Sequence, residues 1–280
     1  MTRRPTGRQD DKRRFFLETL ETWADDNGFA VSKLSGDWVV LLTRGGLVLP
    51  VISYDIGLNP SSVHRIVNDK VATFDVLRAV GVAALEHQIV LDAELARSRG
   101  EADELARVTA VFDAMGGDSV VKPLDQSQGL DVMRVRTPGE LAEAYARLSV
   151  RYRRFCISPF VQIAREDRFY FLDDACLLSY GKRATVGGLG NLAQGAEVIF
   201  HDGSESPARV LAARARAALA LRYGCIDVAT LADGSRWVLE ANSGVMLDEI
   251  ARAAATAGVD LPLAATYRAG LDALLSEREG

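Results

Sequence analysis

The chain has 280 residues, 48% of them hydrophobic and 25% charged, with a formal net charge of −5. That length and balance suit a globular protein of two or three subdomains and exclude a disordered or low-complexity class. No apolar run reaches the ~18 residues of a membrane span, and the polar start, with Arg3, Arg4, Arg8, Asp10, Asp11 and Lys12, is unlike a signal sequence, so a cytoplasmic protein with no membrane partner is expected.

Cys156, Cys176 and Cys225 are odd in number and widely spaced in apolar runs, which argues against a disulfide framework or a zinc site and for buried small hydrophobes. The negative net charge gives no overall attraction to nucleic acid, and the local basic run at 151–154 needs no ligand as a surface patch.

Along the chain, periodicity and turn signals predict a helix over 10–26 and short strands at 29–32, 38–42 and 47–52, a small α/β unit. Residues 53–68 read as a long polar loop with Tyr54, Asp55, Asn59, His64 and Arg65, a candidate binding loop unless it only packs the subdomains. Asn68 or Asp69 then caps a helix to Ala79. A helix over 103–115, strands at 119–122 and 132–135 and a helix over 138–148 follow. Strands at 155–159, 168–172 and 175–180, a glycine-rich loop to Gly195, a helix over 207–223 and two closing alanine-rich helices complete the reading.

The most informative stretch is a predicted hairpin, 225–228 and 236–242 around a turn at 232–235. Glu240 and Asn242 are two apart and share a strand face, and the hairpin can bring Asp227 across to them. Three hard oxygen donors suit Mg²⁺, which keeps positions open for water and phosphate; the alternative is a solvated hairpin with edge charges. Val120-Val121-Lys122-Pro123 ends a strand before a small polar loop containing Ser127, Gln128 and Gly129, whose backbone N–H groups can cover phosphates beside the Lys122 charge. An ordinary hairpin turn is the alternative there, and a Walker A loop is excluded because no Gly-Lys-Ser/Thr precedes a helix. His64, His87 and His201 are scattered, and none is read as catalytic.

The order Lys70, Lys122, the 157–161 segment, Arg168, Lys182-Arg183, Asn191, Asp227 and Glu240-Ala241-Asn242 resembles the ATP-grasp superfamily of carboxylate–amine ligases, over roughly residues 68 to 250. The resemblance implies an α/β chain of α+β arrangement: a small N-terminal α/β domain (1–67), a central ATP-grasp subdomain with a lid loop (68–156) and a C-terminal subdomain with the metal site (157–280), the last two clamping ATP.

It further implies Lys70, Lys122, Ser127, Gln128 and Gly129 on the nucleotide phosphates, Ser158, Pro159, Phe160 and Val161 as the hinge that holds adenine, and Asp227, Glu240 and Asn242 on Mg²⁺. Arg168 is implied on the transferred phosphoryl or a tetrahedral intermediate, with Lys182, Arg183 and Asn191 as further catalytic candidates. Arg168 as an ion-pair partner of Asp173 or Asp174, and the lysines as surface charge, are the competing readings. The implied activity activates a carboxylate as an acyl phosphate and joins it to an amine, with ATP and Mg²⁺ as cofactors, small-molecule carboxylate and amine substrates, and a homodimer as a candidate assembly. Ring closure, ester or thioester formation, a small-molecule kinase and a noncatalytic nucleotide-binding module are the alternative functions.

Overall fold

The computed structural model describes residues 14–124, 130–183, 197–201 and 205–280. In chain order the elements are α1 (Phe15–Asp26), β1 (Ala30–Leu34), β2 (Val39–Arg44), β3 (Leu47–Ile52), α2 (Ser61–Val67), α3 (Lys70–Ala79), β4 (Gln88–Leu91), α4 (Ala93–Ser98) and α5 (Glu104–Ala114). Then come β5 (Ser119–Pro123), β6 (Met133–Val135), α6 (Pro138–Ser149), β7 (Arg154–Pro159), β8 (Ile163–Leu172), β9 (Ala175–Arg183) and β10 (Glu197–Phe200). The chain closes with α7 (Pro207–Ala218), β11 (Tyr223–Leu231), β12 (Arg236–Asn242), α8 (Asp248–Ala257) and α9 (Leu263–Glu279).

The chain divides into two compact units, residues 1–57 with 246–280, and 58–245. The two closing helices, read in the sequence with 157–280, thus share a unit with the N-terminal segment. In that unit β1, β2 and β3 form an antiparallel sheet in sequence order. The apolar stripe of α1 buries Phe16, Leu20 and Trp23. Trp23 donates from its indole to Asp272 at 2.7 Å, and Phe16 meets Tyr267 edge to face with centroids 4.9 Å apart, so α1 is fixed to α9 by apolar area and by a satisfied polar tip.

Residues 58–245 hold two antiparallel sheets among the described residues, β4-β7-β5-β6 and β10-β9-β8-β11-β12. One face of the first packs Val90, Val121, Phe155 and Ile157 against Phe112 of α5 and Leu141 and Leu148 of α6. The second packs Phe169, Phe171, Ile226 and Val228 against Leu211, Ala212 and Ala215 of α7, with Val67 of α2 and Leu77 of α3. The sheets meet where Ala84 bridges Val238 in parallel, through Leu85 N–H to Val238 O at 2.8 Å and Val238 N–H to Ala83 O at 3.0 Å. Antiparallel ladders with helices on one face make this an α+β arrangement.

Side-chain caps explain several helix starts. Asp69, Asp103, Thr137 and Ser206 each accept a backbone N–H of the first turn through the side chain, and Pro138 and Pro207 open their helices at a position where the missing N–H costs nothing. Asn59, in the loop read either as binding or as packing, is a brace: its amide donates to Tyr223 O at 2.6 Å and accepts from the Arg222 and Tyr223 N–H groups at 3.0 and 3.2 Å. No helix among the described residues is long and apolar enough to cross a membrane.

Candidate active site

The face of the five-stranded sheet opposite α7 carries the charged residues. Pairing aligns Tyr180, Arg168, Asp227 and Glu240 across β9, β8, β11 and β12. Strand alternation would put Glu240 on the same side as the core residue Val238, but a bulge next to Asp227 pairs Val228 with Val238 and Asp227 with Glu240. The extra residue, Leu239, turns Glu240 and Asn242 to the charged face while Val238 and Ala241 stay in the core.

There Arg168 grips Asp227 from two points, Nε to Oδ1 at 2.6 Å and Nη2 to Oδ2 at 2.5 Å. Lys182 Nζ lies 3.7 Å from Asp227 Oδ2 and pairs with Glu166, Arg168 Nη2 lies 3.6 Å from Glu240 Oε1, and the Asn242 amide donates to Glu240 at 3.3 Å. The competing partners of Arg168 are engaged elsewhere, Asp173 with Arg222 and Asp174 with Arg216. The brought-together set is Arg168, Lys182, Asp227, Glu240 and Asn242, with Glu166 added.

Burial opposes the charges of Asp227, Arg168 and Glu166, and the neighbouring charges decide how far it succeeds. Burial pushes the Asp227 carboxyl up, but Arg168 and Lys182 overcome it and hold it below the usual carboxylate range. Burial works against the Arg168 cation, and Asp227 keeps it charged. For Glu166 burial wins and pushes its carboxyl up, with Lys182 only partly restoring it.

The donor chemistry of Glu240 and Asn242 fits Mg²⁺: hard oxygens side by side, on side chains open enough to leave coordination positions. Asp227 has the same chemistry but both oxygens lie on Arg168, so it joins a metal only if Arg168 lets go. Among the described residues no cluster of three His, Cys, Asp or Glu side chains competes as a metal site.

The neighbouring sheet supplies the lysines. Cys156 of β7 pairs with Ile89 on one side and Lys122 on the other, which sets Lys122 on the face opposite the Phe155–Ile157 core. Burial lowers the Lys122 ammonium, and the negative charges of Glu240 and Glu166 act on it from the other sheet. Lys70, at the start of α3, donates to Leu124 O at 3.1 Å, its helix fixed by Asp69, which accepts the Val71 and Ala72 N–H groups and the Arg154 guanidinium. Ser127, Gln128, Gly129 and Asn191 lie outside the described residues.

Some expected residues are not brought together. Arg183 points away from Lys182 to an exposed ion pair with Glu197 at 3.7 Å. In the hinge Ser158 is buried, whereas Phe160 is exposed under the Arg134 guanidinium, 3.3 Å from its ring centroid, and its N–H is taken by Asp118 O at 2.9 Å. Phe160 is therefore a surface residue in this arrangement rather than a packing residue for a base.

The surroundings of three groups were not legible in the sequence. Glu166 is two residues before Arg168, and strand alternation alone would have placed it on the charged face. His64 meets Ser243 at 2.8 Å and Asn68 at 3.2 Å, a contact across 179 residues that nothing local announces. His87 is buried near Lys122.

No protein-family model and no curated protein sequence matches the chain. Among solved structures it is similar to D-cycloserine synthetase DcsG, at 23% identity and a TM-score of 0.57 over 74% of this chain and 70% of that one. It is also similar to the D-alanine-D-alanine ligase from Coxiella burnetii (14%, TM-score 0.58, 78% and 61%) and to the ATP-grasp ligase PsnB complexed with a phosphomimetic variant of its minimal precursor, Mg and ADP (19%, TM-score 0.54, 80% and 61%). The chain therefore spans about three fifths of the length of the last two. These likenesses establish the fold: residues of this chain adopt the ATP-grasp fold.

Proposed function

We propose that this protein is an ATP-dependent ligase that activates a carboxylate as an acyl phosphate and joins it to an amine, releasing ADP and phosphate. The observation that carries the reading is the single charged face on which Arg168, Lys182, Asp227, Glu240 and Asn242 converge, within the unit that also carries Lys70 and Lys122. Its fold, and the minimal precursor, Mg and ADP bound by the structurally similar ATP-grasp ligase PsnB, support it.

A carboxylate is a poor electrophile, because delocalised charge shields its carbon and oxide is a bad leaving group. Transfer of the terminal phosphoryl of ATP onto a carboxylate oxygen removes both obstacles; the amine then attacks the carbon, phosphate leaves and the amine proton is lost. Little covalent work falls to the protein, and no side-chain nucleophile is needed. Lys70 and Lys122 would neutralise the nucleotide phosphates, and Arg168, a planar fork already aimed at paired oxygens, would do the same for the transferring group. Glu240 and Asn242 would hold Mg²⁺, which when bound neutralises phosphate charge.

Phosphate release from Mg·ATP, screened over amino acids and small peptides with mass spectrometry of products, tests this. A product heavier than either substrate and equal to their summed mass minus water, formed only when carboxylate and amine are both present, is expected. A phosphorylated product that needs no amine would make the protein a small-molecule kinase instead.

A further inference from the structure

We propose that His87 reads the purine base, its Nε2 accepting a hydrogen bond from the exocyclic amine of adenine. This rests on the ligase reading and goes beyond it, since it names the side-chain atom that tells adenine from a 6-oxo purine.

Within the ring, Nδ1 lies 2.8 Å from Leu85 O, and a carbonyl only accepts, so the proton sits on Nδ1. Nε2 then presents a bare lone pair. That atom is buried and has no hydrogen-bond partner among the described residues, in a side chain only 2% exposed. A buried acceptor left unpaired is costly, and such atoms in folded proteins call for an explanation. Protonation does not relieve it here, because burial and the positive charges of Lys122 and Lys70 all oppose an imidazolium. The site asks for a ligand that brings an N–H or O–H.

The position narrows the donor. Ile89 pairs with Cys156, and Cys156 with Lys122, on the sheet face turned from the Val90, Phe155 and Ile157 core. Alternation carried back two residues gives His87 that same face, and Gln88 pairing with Ile157 brings His87 beside Ser158, the first residue of the proposed base-holding segment. The preceding residues, Ala83 to Leu85, are tied to Val238 of β12, two residues before Glu240. The ring thus stands at the junction of the two sheets. A phosphate oxygen would meet Nε2 lone pair to lone pair and is excluded, whereas the 6-amino group of adenine supplies a donor. A 6-oxo purine places an acceptor there, so the same atom that welcomes adenine rejects hypoxanthine and guanine.

Calorimetric titration with Mg·ADP and Mg·IDP, which differ in the 6-substituent and in the proton that N1 then carries, tests the assignment. The wild-type chain is expected to bind ADP at least ~10-fold more tightly than IDP, since a site built for a donor discriminates against an analogue lacking it. In His87→Phe, of similar volume and without an acceptor, the two affinities should come within ~3-fold. Because that variant can fail to fold, nitrogen NMR of the wild type supplies an independent reading: the His87 Nε2 resonance should shift on adding Mg·ADP in the direction of hydrogen-bond acceptance. Equal wild-type affinities, selectivity that survives in His87→Phe, or an unmoved Nε2 resonance overturns the inference while leaving the ligase reading intact. Failure of both nucleotides to bind would sink the two together.

Discussion

Arg168 and Asp227 hold each other through two parallel hydrogen bonds across the β8–β11 ladder, with the carboxylate almost wholly shielded from water. Both members lie in the candidate active site, so the pair is at once a structural element and a store of charge for chemistry. A buried pair is weak evidence for stability when compared with an apolar replacement, yet breaking it from one side strands a charge.

Arg168→Met should therefore destabilise the protein by about 3–5 kcal/mol, because Lys182 at 3.7 Å is left as the nearest cation to Asp227. Asp227→Asn in the same background should recover at least ~1 kcal/mol, a non-additivity expected of directly bonded groups. Urea unfolding of the two single variants and the double gives the coupling. Strictly additive losses would mean that the pair does not persist in solution.

Lys122 carries a pH prediction. Burial lowers its ammonium in the free protein, and nucleotide phosphates beside it would raise it again. Between the two values binding takes up a proton, so affinity for Mg·ADP should fall as pH rises through the free-protein value. The same group makes the free fold less stable below that value and relieves the penalty as pH rises towards the ordinary lysine range. Titrations at mildly alkaline pH in buffers of different ionisation enthalpy should show net proton uptake in the wild type and less in Lys122→Met. Equal uptake in both would assign the proton elsewhere.

Glu240 offers the cleanest separation of fold from chemistry, since its side chain is a third exposed while Asp227 beside it is buried. Glu240→Gln should keep the unfolding midpoint within a few degrees. Any ligand bound only by the folded state adds RT ln(1 + [L]/Kd) to stability, so the variant should lose the Mg²⁺-dependent part of the thermal shift given by ADP. Turnover should fall by orders of magnitude. A magnesium-dependent shift as large as in the wild type would remove Glu240 from the metal site.

What the sequence revealed and hid follows from the range of the interactions. The β11–β12 hairpin was legible because Asp227, Glu240 and Asn242 lie within one turn-linked segment, and α3, α5, α6 and α7 because their caps are local. Helix α2 was hidden in a stretch read as loop: it has seven residues, starts after Pro60 without a side-chain cap, and is held by burying Val63 and Val67. Strand β8 begins five residues earlier than its apolar run suggests, because Glu166 is polar for the site and Asp167 is buried on the other face in an ion pair with Arg165, neither being polar for solvent. Helix α7 stops at Ala218 rather than running to Tyr223; Ala220 turns the chain at a φ of 52° without the glycine that would have marked the end. The pairings of His64 with Ser243 and of Arg168 with Asp227 span 179 and 59 residues, and only the fold brings them together.

Gly224 ties strand packing to the site. A Cβ there would lie 2.3 Å from the Asn242 carbonyl oxygen and about 3 Å from the Leu221 methyls, and a backbone oxygen cannot swing aside as a flexible side chain can. Gly224→Ala should force β12 away from β11 at the Cys225–Asn242 pair, moving Asn242 off the charged face. A loss of about 1–3 kcal/mol is expected, in the range of overpacked cores, together with weaker Mg·ADP binding. Gly139→Ala is the control: its nearest neighbour would be Thr137 Oγ1 at 3.9 Å and it sits in α6, so it should be neutral or stabilise by a few tenths up to ~1 kcal/mol with binding unchanged. Should Gly224→Ala match the wild type in both unfolding and ADP affinity, the close approach of the two strands, and the placement of Asn242 that depends on it, would be wrong.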